Sequence, residues 1–243
     1  MSIVATTMRA DSDALRLTGQ NISNADNVAY RRQFEVARPG GPTGQPDFAA
    51  VASATAPPAP QSRAPRVEVD VDTRPGTFKS TGEPLNVAIQ GDAYFVVSTA
   101  QGDMLMRRGD FHLGPDGVLT AFTGDPVLGT EGTLRIAGGT PQIDTGGTIR
   151  VANEVVGHLR LDELAPGTTL EPLADGLFRT RGGSTTSSTT AQVRQGFLET
   201  GNVSPVNEMV RMLQTMRHFE ASQRFVRTYD EMLDKAISDL GKI

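Results

Sequence analysis

The chain has 243 residues and 25.9 kDa, with 37% hydrophobic residues, ten Phe, no Trp and no Cys, enough for an aliphatic core of one large or two modest domains. The missing Cys excludes a disulfide framework, a Cys-ligated zinc, an iron–sulfur cluster and a thiol nucleophile. A net charge of -5 and a pI near 5.3 argue against a nucleic-acid partner. No stretch approaches the roughly 18 apolar residues of a membrane span.

The opening residues, MSIVATTMRA, lack the early cation and long apolar run of a secretory leader, so any export is expected to proceed without leader cleavage. Residues 3–25 read as a helix: Met8, Leu15 and Ile22 recur every seventh position, and Val4, Ala14 and Ala25 fill the same face. The polar run Asn21 to Asn27 ends it, because Asn and Asp compete with the helical backbone for hydrogen bonds. Tyr30, Arg31 and Arg32 then open an irregular passage. Seven prolines between residues 38 and 65 mark a spacer. The alternation from Val67 to Asp72 predicts a strand with three valines on one face and three carboxylates on the other.

From about residue 74 to 183 short apolar runs alternate with Gly-Asp and Asp-Gly turns, the pattern of an antiparallel β domain of many short strands. The Gly/Ser/Thr-rich run beginning at Gly182 reads as a second linker, taken as residues 184–194. The last segment is the clearest helix, with Ser204 placed as N-cap and Pro205 at the first helical position. Met212, Phe219, Val226, Leu233 and Leu240 form a seven-residue track. Met209, Met216 and Ile237 lie beside it, and Phe225, Tyr229 and Met232 widen the apolar surface. Gln223 and Asp230 interrupt the second track, so the seam is not a simple two-stranded zipper.

The expected fold is therefore mixed α and β: long N- and C-terminal helices packing as a coiled-coil-like pair around a central antiparallel β domain. The expected divisions are a terminal helical unit (1–35 with 195–243), a spacer and connecting strand (36–73), the β domain (74–183) and a linker (184–194). Either terminal helix alone would leave its apolar stripe in water. The two are expected to pack on each other or on helices of further subunits.

Signs of chemistry are sparse. His112, His158 and His218 have no neighbours at metal-ligand spacing and read as ordinary surface or packed histidines. Glu68, Asp70 and Asp72 could face a cation, but a solvated strand face explains them better. The glycine pairs at 138–139 and 146–147 complete no phosphate-binding loop, and no GxSxG elbow occurs. Arg108-Gly109-Asp110 spells an adhesion tripeptide that a hairpin turn accounts for. No catalytic, metal or cofactor site is expected. A carbohydrate-active β-domain enzyme would need two converging carboxylates, which no spacing here demands. A membrane-surface role would need more strongly basic polar faces on the helices, and an adhesion role rests on the short Arg108-Gly109-Asp110 match alone.

Several stretches resemble the bacterial flagellar axial proteins of the rod and hook. The run from Asn21 to Arg32 matches their N-terminal signature through Asn21, Asn24, Ala25, Tyr30 and Arg31, with Asn27 where Thr and Ala29 where Gly is usual. Gly82 to Val97, with Gly91 and Phe95, resembles their central motif, with Ala93 in place of Gly; Arg108 to Leu113 and Gly124 to Gly129 continue it. Gln195 to Glu199 through Asn202 and Val203, Glu208 to Val210 and Arg217 to Ala221 resemble their terminal helix, completed by Asp230 to Leu233. Length and the segment Val155 to Leu161 are most like the proximal rod members, with the distal rod and hook-type members as alternatives. The resemblance implies a structural subunit, exported unfolded by the flagellar type III apparatus and polymerising with itself and neighbouring rod proteins in the periplasmic basal body. It also implies an inner hydrophobic layer built from Met8, Leu15, Ile22, Met209, Met212, Met216, Phe219, Val226, Leu233, Ile237 and Leu240.

Overall fold

Apolar residues at three- and four-residue spacing build the helices at either end. The computed structural model describes residues 2–38 and 66–240; most of the expected spacer and the side chain of Leu240 lie outside the described residues. Helix α1 spans Ser2–Ser23. Asn24 closes its last turn, its side-chain amide donating to the Gln20 carbonyl at 2.8 Å. Helix α2 spans Pro205–Leu240, starting at the expected proline.

The helices pack on each other antiparallel, since Asn21 meets Glu208 near one end and Asp11 meets His218 midway. In α2 the half-buried positions Met212, Thr215, Phe219, Ser222 and Val226 repeat every three or four residues. Met8, Leu15 and Ile22 are half-buried on α1, where Leu17, outside the expected track, is the most enclosed apolar side chain. The expected single apolar layer therefore divides in two. Met209, Met216, Leu233 and Ile237 are exposed, together with Val206, Val210, Leu213, Phe225 and Met232.

The β domain is antiparallel throughout its described pairings. Strands β1 (Gln33–Arg38) and β2 (Arg66–Val71) form a two-stranded ribbon. Here the expected irregular passage is a strand: Gln-Phe-Glu-Val alternates, but its partner lies some thirty residues later, so the pairing was invisible locally. On β2 Val71 is buried while Val67 and Val69 remain exposed, although the strand lies beside residues 169–172. Next come β3 (Phe78–Ser80), β4 (Val87–Gln90), β5 (Ala93–Thr99) and β6 (Gly102–Met106).

A six-stranded sheet runs in the order 169–172, 177–181, β6, β5, 161–164, 185–187. Strand β5 is its hydrophobic centre and is buried on both faces. Ala93, Phe95 and Val97 enter the main core, where the Phe95 and Phe111 rings meet edge to face at 4.9 Å. Tyr94 and Val96 enter a smaller cluster with Leu105, Leu170 and Phe178. Burial of each large side chain contributes about 1.5–3 kcal/mol.

Residues 184–194 are not a free linker. Thr185–Ser187 is an edge strand whose neighbourhood is pinned by hydroxyls, Thr185 donating to Asp162 at 2.9 Å and Thr190 to Glu163 at 3.0 Å. Gln192–Gln195 pairs with β4 and buries Val193. Phe197–Glu199 pairs with β3, so the β domain extends to residue 199, into what was expected to be the helical unit. Polar composition hid these strands because their hydroxyls face carboxylates within the fold.

Candidate functional site: the junction beneath the terminal helices

The family-motif residues at the two ends of the chain converge where α1, the ribbon, β3 and the start of α2 meet. Asn21, buried in the last turn of α1, uses its whole amide. Its Oδ1 accepts from the Gln33 backbone N–H at 2.9 Å and from the Tyr30 hydroxyl at 3.2 Å. Its Nδ2 donates to the Gln33 carbonyl at 2.8 Å and to Glu208 Oε2 at 3.3 Å. An amide alone offers this donor–acceptor set. Burial and the nearby Glu208 carboxylate push the Tyr30 hydroxyl pKa up.

Asn202 does the same on the other chain end. It accepts from the Arg32 backbone N–H at 2.7 Å and donates to the carbonyls of Asp72 and Arg74 at 2.9 and 2.8 Å. Glu208, in the first turn of α2, suits the positive end of the helix dipole. It takes hydrogen bonds from Arg32 Nε at 2.7 Å and Arg211 Nη1 at 2.8 Å. Residues 21, 30–32, 202 and 208 thus form one continuous clamp.

Below the clamp lies a buried charge cluster. Glu199 Oε1 accepts from Arg31 Nη2 at 2.9 Å and the Gly76 N–H at 2.8 Å, and Oε2 from Arg107 Nε at 2.7 Å. All three charged side chains are at most 2% exposed. Arg107 also donates to the carbonyls of Ala93 and, at 2.9 Å, Ile89, tying the end of β4 to the start of β5. Gly91 makes the turn between them at φ 117°, a left-handed conformation that favours glycine. Phe95 sits in the core one turn of the pleat away. Burial pulls the Arg31 pKa down, and the Glu199 carboxylate opposes that pull. Two buried cations on one carboxylate make this the costliest arrangement to disturb.

Two backbone details fix the approach. Gly201 lies so close to the turn that follows α1 that a β-carbon there would stand 2.7 Å from the Ala25 carbonyl oxygen. Ala29 occupies the left-handed region at φ 52°, its N–H held by the Glu199 carbonyl at 2.8 Å. This is the position where the resembling proteins usually carry glycine.

Sequence reading found Asn21, Tyr30, Arg31, Asn202 and Glu208, and the structure brings these together. Asn24 stands beside them, capping α1, and Ala25 is buried against Gly201. Arg32, Arg107 and Glu199 were not among the expected site residues; Arg32 and Glu199 lay within the family-like runs, but their separations along the chain did not show that they meet. His218 pairs with Asp11 at 2.7 Å, while His112 and His158 are exposed strand residues. Among the described residues no group of three His, Asp or Glu side chains is set to hold a metal, and no helix is long and apolar enough to cross a membrane.

An antiparallel β domain is thus spliced by buried charges to two helices, one of which shows an apolar stripe to solvent. Residues 194–239 match the family described as flagellar basal body rod FlgEFG protein C-terminal. The flagellar basal-body rod protein FlgF of Salmonella typhimurium is 31% identical over 247 residues, covering 94% of each chain. FlgF of Escherichia coli is 31% identical over 254 residues, covering 96% of each. The rod protein FlgG of Bacillus subtilis is 26% identical over 176 residues, 66% of this chain and 67% of its own. The chain belongs to the flagellar basal-body rod protein family and is a FlgF-like rod subunit.

Proposed function

We propose that this chain acts as a proximal-type structural subunit of the rod, its terminal helices packing as a coiled-coil-like inner layer and its β domain facing outward. In that role it polymerises with neighbouring rod proteins into the tube that carries torque from motor to hook. It passes through the flagellar type III export apparatus without leader cleavage and has no catalytic step or cofactor. The observation that carries the reading is the outward stripe of α2, where Val206, Met209, Leu213 and Met216 are exposed at three- and four-residue spacing on a helix that a buried clamp holds in place. An apolar face of this extent on a soluble chain calls for a cover. Neighbouring subunits would supply it, and burial would offset the entropy of ordering the helix ends. Labelling the chain and locating it in isolated basal bodies tests this: label in the rod is expected, and basal bodies that assemble fully without it would refute the reading.

A further inference from the structure

The helix pair has two unlike ends. The Asn21–Glu208 and Asp11–His218 pairs share one register, each step along α1 being matched by one step back along α2. Ser2 therefore falls about level with Arg227, and residues 228–240 of α2 have no residue of α1 alongside among the described residues. That overhang, about 20 Å of helix, exposes Met232, Leu233 and Ile237 together with Asp230, Glu231 and Asp234. Lys235 is the single cation among its described side chains.

The other end of the pair carries a groove of about 590 Å³ between the end of α1 and the β domain. Its walls include Tyr30, Phe122 and Val28, and Arg16, Arg31 and Arg108 line it against one carboxylate, Asp175. Arg108 lies 3.8 Å from the Phe122 ring centroid, held by Asp110, and leaves Phe122 more than half exposed. Arg16 approaches Asp13 at 3.8 Å and donates to the Gln20 side-chain oxygen at 3.4 Å. Beneath the groove, Arg31 and Arg107 share Glu199, and Arg32 and Arg211 share Glu208. With Arg16 and Arg108 set against Asp13 and Asp110, and Asp175 counted, groove and junction together hold one more positive than negative charge, in a chain whose net charge is -5. The Nε of buried Arg31 has no hydrogen-bond partner.

Resting on the rod-subunit reading, we propose that this groove receives the acidic, apolar helix end of a neighbouring axial subunit, of the composition this chain carries at 228–240. Methionine and isoleucine would cover Phe122 and Val28, and the carboxylates would meet the surplus positive charge. Complementary patches at opposite ends of one rigid pair give a heterologous contact that propagates along an axis instead of closing on itself. Desolvation on docking would strengthen the charge contacts, and salt would weaken their steering of the encounter.

The absence of native cysteine makes the test direct. Purified full-length Ala174→Cys chains, with the thiol on the groove rim, are mixed with size-tagged Lys235→Cys chains, and mixed-disulfide formation is timed. The expected rate is at least about tenfold above that of Glu131→Cys with Lys235→Cys, where the first thiol sits elsewhere on the β domain. It should fall toward the control when Asp230, Glu231 and Asp234 become Asn on the Lys235→Cys chain. All substituted positions are exposed, and circular dichroism verifies folding. Equal rates for rim and control, or a rim rate untouched by the Asn changes, would overturn the proposal. Either failure leaves basal-body labelling, and with it the rod-subunit reading, unaffected.

Discussion

The junction and the outward face of α2 are built from opposite materials. The junction is polar and sealed: Asn21 and Asn202 place each amide atom on a partner, and Glu199 answers two arginines away from water. The α2 face is apolar and open, with Val206, Met209 and Leu213 each more than half exposed and Met216 beside them. An ordinary monomer would reverse this, with charge outside and apolar residues within. The contrast separates what holds the subunit together from what it offers to others.

Breaking the sealed side should have the largest effect. Glu199→Gln leaves two buried guanidinium groups short of a counter-charge, and we expect a loss of about 3–5 kcal/mol in chemical denaturation followed by near-ultraviolet circular dichroism. Glu199→Gln as stable as the parent would show that the cluster is wetter than its geometry indicates. Asn21→Ala strands both backbone groups of Gln33. It should cost about 1–3 kcal/mol and, more tellingly, free α1, seen as early proteolytic cuts before residue 33 while the β domain stays intact. Cuts no earlier than in the parent would remove Asn21 from the clamp.

The strained point should respond in the other direction. Ala29 sits at φ 52° in a region that costs a non-glycine residue about 1–2 kcal/mol. Ala29→Gly should stabilise the chain by somewhat less, about 1 kcal/mol, because glycine also loosens the unfolded chain. A lower melting temperature would contradict the assignment of strain. The smallest expected effect is acidic. The Asp72 carboxyl is held below its usual range, chiefly by hydrogen bonding from Arg74. A lowered carboxyl pKa contributes stability that is complete above about pH 4 and is lost as the pH falls through the lowered value. Since Arg74 is largely exposed, the loss should stay local. Hydrogen-exchange protection at residues 72–76, relative to the intrinsic rate at each pH, should fall below about pH 4 before the core opens.

How much of this was legible in the sequence follows from the range of each interaction. The two helices announced themselves by three- and four-residue spacing, because a helix is made of local bonds. The short strands announced themselves through Gly-Asp turns. Strand β1 and the strands at 185–187 and 192–195 did not, since their partners lie far along the chain and their polar residues are satisfied only after folding. Asn21 and Glu208 stood out through the family motif, yet nothing in their spacing showed that they touch. Glu199, joined to Arg31 and Arg107 across 168 and 92 residues, was beyond local reading. Nor could the heptad track tell which of its members face α1: Phe219 is half-buried, while Met216, three residues before, is exposed.

The central claim is that the open face of α2 matters to assembly and not to the folded monomer. Leu213→Asp tests it most directly, because this side chain is 58% exposed. The purified variant should match the parent within about 0.5 kcal/mol in denaturation, while its amount in isolated basal bodies, measured by immunoblot against another rod component, should fall to background. A variant that folds like the parent and still enters the rod at the parental level would contradict the account.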